Sequence, residues 1–203
     1  SFAIPITSKL MVGFGRTKTN KAYDLNVKQL LMQQTTDNKH PVSIAVYFDV
    51  EIQSGDFRNI PPNTYFSDSI TPFENKFNHR LSYNTQVLIS RKFGDLISLQ
   101  LSPAFIYRNL VPVGENNYSF AVPIGGAIKT AKSSSFIFEV AWLYDYEPEN
   151  NLYPFFIGYE FGTTGHVFQI LAGTSSQMLQ QELYTTDPTN YNESEFLLGF
   201  NIK

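Results

Sequence analysis

The chain has 203 residues, a net charge of −3 and a pI near 5.6. That length fits one domain or one barrel, and the weak acidity without any Lys/Arg run excludes a nucleic-acid partner. There is no cysteine, which removes disulfides, zinc–thiolate sites and thiol catalysis, and no window approaches the roughly 18 uncharged apolar residues of a transmembrane helix.

Ser1 opens directly onto an apolar run, Phe2, Ile4 and Ile6, which places the start of the sequence inside a strand. A corner at Thr7-Ser8 leads into 9–16, with Leu10, Val12 and Phe14 on one face and Met11, Gly13 and Gly15 on the other. Residues 21–33 set Tyr23, Leu25, Val27 and Leu31 against Asp24, Asn26 and Lys28. The pattern over 41–53 is cleaner. Val42, Ile44, Val46, Phe48, Val50 and Ile52 oppose Ser43, Ala45, Tyr47, Asp49 and Glu51. Residues 54–76, rich in Pro, Asn and Ser, read as the longest loop.

The run from Phe77 to Tyr107 governs the reading. Leu81, Tyr83, Val87 and Ile89 alternate with Ser82, Asn84, Gln86 and Ser90. After Lys92-Phe93-Gly94-Asp95, the return run alternates Ile97, Leu99, Leu101, Pro103, Phe105 and Tyr107 with Ser98, Gln100, Ser102, Ala104 and Arg108. Period-2 alternation marks a strand between two unlike environments. Strands of soluble domains average about five or six residues; these are about twice that, the roughly 9–11 that a tilted strand needs to cross a bilayer.

The same pattern recurs over 118–130, 134–144, 152–161, 166–175 and 193–202, and 176–183 reads as a short helix within a loop. Short turns fall near residues 7, 36, 93, 132 and 163. Longer connections fall near 18, 65, 113, 148 and 184, and the two kinds alternate. About eleven strands are visible, and bacterial barrels have an even number with both ends periplasmic. The expectation is an all-β, antiparallel up-and-down transmembrane barrel of about 12 strands, its first strand missing from the sequence. A soluble sandwich is the rival fold and predicts shorter strands around an apolar interior.

Inward positions of such a barrel carry Asp24, Lys28, Asp49, Glu51, Arg108, Glu139 and Glu160. Buried charges persist only if paired or hydrated, so these predict a salt-bridged lumen filling a narrow barrel, or else a polar path for a small solute. Tyr107, Tyr118, Trp142, Tyr144, Tyr146 and Tyr153 gather at strand ends beside long loops, and Phe93 and Phe161 at the short-turn ends, where interfacial girdles belong. Asp145, Glu147 and Glu149 alternate in one loop and are a weak calcium candidate that matches no EF-hand spacing. No cofactor is predicted. His40, His79 and His166 have no serine partner readable from the chain, and neither HExxH nor GxSxG occurs, so no catalytic residue is assigned.

Several segments resemble a family of outer-membrane β-barrels from Bacteroidota to which no function is assigned. They are Leu10-Met-Val-Gly-Phe-Gly-Arg16 with Lys21-Ala-Tyr-Asp24, Leu88-Ile-Ser-Arg-Lys-Phe-Gly-Asp95 with Ser98-Leu-Gln-Leu101, Tyr107-Arg-Asn-Leu-Val111, Thr164-Gly-His-Val-Phe-Gln-Ile170 and Leu198-Gly-Phe-Asn-Ile202. The resemblance implies a barrel in the outer membrane, short turns periplasmic and long loops extracellular, with the sequence trimmed at both ends. It brings no catalytic residues.

Three functions fit in different degrees. The first is a structural or accessory barrel, a subunit of or partner to a larger outer-membrane assembly, in contact with lipid and other outer-membrane proteins. The second is a narrow channel for small polar solutes. The third, a lipid-modifying enzyme, requires a Ser/His pair within hydrogen-bond reach, and the expectation is that the protein is not an enzyme.

Overall fold

The computed structural model describes residues 2–18, 21–55, 65–66, 68, 70–144, 152–177, 179–186 and 188–202. The alternating runs form strands β1 (Phe2–Pro5), β2 (Leu10–Arg16), β3 (Ala22–Met32), β4 (Ser43–Gln53), β5 (Leu81–Phe93) and β6 (Ile97–Leu101). They continue as β7 (Ala104–Arg108), β8 (Tyr118–Ala131), β9 (Ser134–Tyr144), β10 (Phe155–Gly162), β11 (Val167–Gly173) and β12 (Leu197–Ile202). All belong to one 12-stranded antiparallel sheet in which sequence neighbours pair, from β1 at one end to β12 at the other among the described residues.

β6 and β7 are two halves of one pass, since both pair with β5 on one side and β8 on the other. Twelve strands with one shared pass make eleven passes. The break falls at Ser102-Pro103 because proline has no N–H to give the ladder. The Pro103 carbonyl still accepts from Val87 N–H at 3.1 Å, so direction and side-chain parity carry across the break.

The side chains are arranged inside out. Asp49, Glu51 and Asn84 are 1%, 0% and 0% exposed, whereas Val46, Phe48 and Leu99 are 36%, 44% and 40% exposed. The exposed apolar set continues around the sheet through Leu25, Phe105, Phe120, Ile124, Val140, Ile157, Ile170 and Phe200. A soluble protein rarely exposes a contiguous apolar patch above a few hundred Å²; a band this continuous needs lipid as its solvent. No helix among the described residues is long and apolar enough to cross a membrane, so any crossing falls to strands.

The connections sort as the sequence predicts. At one end lie 6–9, 33–42, 94–96, 132–133 and 163–166, and at the other lie 17–21, 54–80, 109–117, 145–154 and 174–196. Gly94 (φ 61°) and Gly165 (φ 102°) occupy left-handed positions in two of the short turns, where a side chain would strain the backbone. In the longest connection, the Arg80 guanidinium donates to the carbonyls of Gln53 and Gly55 at 3.0 and 2.9 Å, which fastens the loop to the end of β4.

Candidate functional site

The candidate site is the lumen, and its long-loop half is filled by the chain itself. Between β11 and β12 the chain turns inward and forms one helical turn, α1 (Gln180–Leu183). Gln181, Leu183, Tyr184 and Thr185 are buried there. Gln181 donates from Nε2 to Asp49 Oδ2 at 2.7 Å, and Asn84 donates from Nδ2 to Gln180 Oε1 at 2.8 Å. Leu183 and Tyr184 pack on Ala104, Ile106, Ala121, Ala141 and Leu143, the apolar floor that β7, β8 and β9 present to the lumen. The Tyr184 phenol also lies within electrostatic reach of the Glu139 carboxylate.

That proximity gives a direct expectation. Tyr184→Phe keeps the ring and removes the hydroxyl from beside a half-buried carboxylate. The expected cost is about 1 kcal/mol, toward the lower end for an unsatisfied polar group because Glu139 keeps some solvent. The measurement is the urea midpoint of the folded, heat-modifiable gel band; an unchanged midpoint rejects a stabilising role for the hydroxyl.

The predicted lumen residues face inward, and the partners found for them among the described residues are mostly neutral. Asp24 Oδ2 accepts from Asn26 Nδ2 at 3.2 Å, and Glu51 Oε2 accepts from the Ser82 hydroxyl at 2.8 Å. Glu160 Oε2 accepts from Gln169 Nε2 at 2.6 Å. Amides and a hydroxyl therefore donate to these three carboxylates. Lys28 lies partly buried opposite Tyr47 on β4. Arg108 sits at the long-loop mouth, where it pairs with Glu115 at 2.8 Å instead of joining Asp49 or Glu51.

Space remains at the short-turn end. A cavity of about 590 Å³ has Ile137, Phe156 and Leu171 on one wall and Ser90, Ser98 and Gln100 on the other, with Glu139 between them. A second, of about 980 Å³, opens among 33–36, Asn38 and 91–95 and shares Ser90 and Ser98 with the first. The lumen is thus hollow from the short turns to Glu139 and filled beyond it.

Tyr107, Tyr118, Trp142 and Tyr144 are exposed at the long-loop end, with the Trp142 and Tyr144 rings 5.8 Å apart. Phe93 is exposed at the short-turn end with the Arg91 guanidinium 5.1 Å from its ring centre, and Phe161 stacks on Phe168 at 5.3 Å. Tyr153 departs from the expectation. It is half-buried and packs against the Leu183–Tyr184 cluster, because 152–154 form no strand and lie beside the inserted loop.

Asp145, Tyr146, Glu147 and Glu149 lie outside the described residues. Among the described residues no three His, Asp or Glu side chains converge as a metal site would require. His79 sits between the Phe66 and Phe73 rings at 5.5 and 5.6 Å and accepts the Lys76 N–H, and His166 faces Phe168 at 6.2 Å. A family model described as a membrane bound beta barrel domain (DUF5777) matches residues 1–203. No curated protein and no solved structure matches the chain.

Proposed function

The chain belongs to this family of membrane-bound β-barrel domains, and from that premise we propose a structural or accessory barrel of a bacterial outer membrane. Its lumen is stopped by its own loop, and it serves a larger outer-membrane assembly rather than transport. The observation that carries this reading is the pair of bonds joining Gln180 and Gln181 to Asn84 and Asp49, with Leu183 and Tyr184 seated on the apolar floor, which fixes the loop across the lumen. An interior built for free passage has no use for an apolar floor of Ala104, Ile106 and Leu143 that seats a leucine and a tyrosine. The lengths of the connections support short turns on the periplasmic side and long loops outside. The partners are outer-membrane lipid around the apolar band and other outer-membrane proteins. The proposal is non-enzymatic: the two histidines that touch aromatic rings, His79 and His166, lie at opposite rims of the strands.

A narrow channel for small polar solutes is the second reading, and the two cavities that meet at Ser90 and Ser98 favour it. Planar-bilayer recording separates the two. The purified native protein, confirmed as folded by heat-modifiable migration, is expected to insert without unitary current steps. Reproducible steps reject the stopped barrel and leave the channel.

A further inference from the structure

We propose that the β11–β12 loop is a removable stopper in a cation-selective path, an inference that rests on the stopped-barrel reading above.

The first ground is the shape of the loop. It hangs on a closed neck: Thr189 N–H donates to Thr174 O at 2.6 Å, and the Thr174 hydroxyl accepts from Phe155 N–H at 3.0 Å. Everything that enters the lumen lies between those two threonines. β11 and β12 pair from Phe168↔Ile202 to Gly173↔Leu197 without help from it. Removing the lobe therefore leaves the wall intact.

The second ground is charge. Around the stopper and below it, inward positions present Asp24, Asp49, Glu51, Glu139, Glu160 and the loop's own Glu182. Against them stand Lys28 and Arg108, and Arg108 is already matched by Glu115. Toward the short turns Lys129 shares the lumen face of β8, and Arg91 and Lys92 outnumber Asp95 at the mouth, so the acidic field is confined to the stretch around the stopper. Four of the carboxylates act on one another with like charge: Asp24 on Asp49, Asp49 on Glu51, and Glu182 on Glu51. The stopper thus sets one carboxylate against another where it seats.

The third ground is unused bonding capacity. Asp49 Oδ1, Glu51 Oε1 and Asn84 Oδ1 are buried and accept no hydrogen bond among the described residues. Asp49 lies opposite Asn84 in the β4–β5 ladder, and Glu51 lies opposite Ser82 two residues along. Three oxygens stand together there against one unpartnered donor, Gln86 Nε2, so acceptor capacity is in excess, and a hydrated cation can use it. A low-dielectric wall around charge of one sign raises the local concentration of counter-ions and repels co-ions. With the lobe gone, that field faces an aqueous path continuous with the cavities at Ser90 and Ser98.

The test replaces 176–187 of the full chain with a short Gly/Ser linker between the paired threonines. The folded variant is recorded in planar bilayers under a KCl gradient. The expected result is unitary conductance with a reversal potential displaced toward that of K⁺. Adding Asp49→Asn and Glu51→Gln is expected to move it back toward zero. A folded lobe-less barrel that is silent, or that prefers Cl⁻, overturns the proposal. Conductance in the native protein instead overturns the stopped-barrel reading, and its ion preference still judges the charge argument. If the deletion does not fold, Gln180→Ala/Gln181→Ala/Tyr184→Ala keeps the neck and is expected to flicker open with the same preference. A folded triple variant that stays closed, or passes anions, counts against the stopper.

Discussion

Phe48→Arg is expected to prevent the barrel from forming in lipid, while Asp49→Asn, one residue along, leaves it folded. Phe48 lies at the middle of β4, between Val27 on β3 and Thr85 on β5, and its ring points away from the lumen. A cation there must reside in hydrocarbon or drag the wall toward the interface. For outer-membrane barrels the cost of Arg at the bilayer midplane is about 2–4 kcal/mol, falling to about 0–1 near the interfaces. The lost lipid contact of a phenyl ring adds to it. Asp49 is enclosed on the other face, where Gln181 donates to it, and an asparagine oxygen accepts that bond equally well. The measurement is refolding yield in vesicles by gel shift, with urea titration of whatever folds. Equal yields for Phe48→Arg and the native chain contradict the assignment of the two faces.

The difference between those neighbours is also why so much of the fold was legible. Lipid and lumen place opposite demands on successive residues of one strand, so 41–53 and 81–93 announce their faces without any knowledge of their partners. The turns were legible for the same reason, since alternation stops where the chain leaves the bilayer. What alternation does not encode is what fills the interior. Asp49 finds its donor 132 positions away and Asn84 its acceptor 96 positions away, both in a loop with no periodicity. A salt-bridged lumen reads only the charges along strands, whereas the answering groups include neutral neighbours on adjacent strands and, for Asp49, a glutamine from the distant loop. One signal was present. Ile106 and Leu143 sit at lumen parity near the long-loop end, where their neighbours Ala104 and Ala141 are small, and both are buried. Apolar side chains facing a lumen need an apolar partner inside it. The Leu183-Tyr184 pair that closes the short helical stretch of 176–183 was the available one. Pro103 shows a smaller limit: parity predicted its face, but its missing N–H splits the pass into β6 and β7.

Gly158→Val is expected to destabilise the wall by about 1–3 kcal/mol or more, the range for forcing extra methyl groups into a packed site. Gly158 faces the lumen on β10 opposite Leu171 on β11. A Cβ at this position would stand 2.5 Å from Leu171 Cδ2 and 2.7 Å from the Ile170 carbonyl oxygen. The leucine can swing away. The carbonyl belongs to the β10–β11 ladder and cannot retreat without breaking it. Gly199 on β12 is the matched control, because its Cβ would meet nothing nearer than Leu171 Cβ at 3.7 Å, an ordinary contact. Gly199→Ala is therefore expected to refold with a native urea midpoint and Gly158→Val with a lower one. The leucine that Gly158 accommodates is one wall of the 590 Å³ cavity, with Ile137 beside it. A valine that turns Leu171 inward narrows the hollow half of the lumen. In the lobe-less barrel the same substitution should then reduce unitary conductance while keeping the preference for K⁺, because Asp49 and Glu51 stand on β4 outside the lining of this cavity and no charge is added or removed. A reduction in stability with full conductance would place Leu171 outside the path.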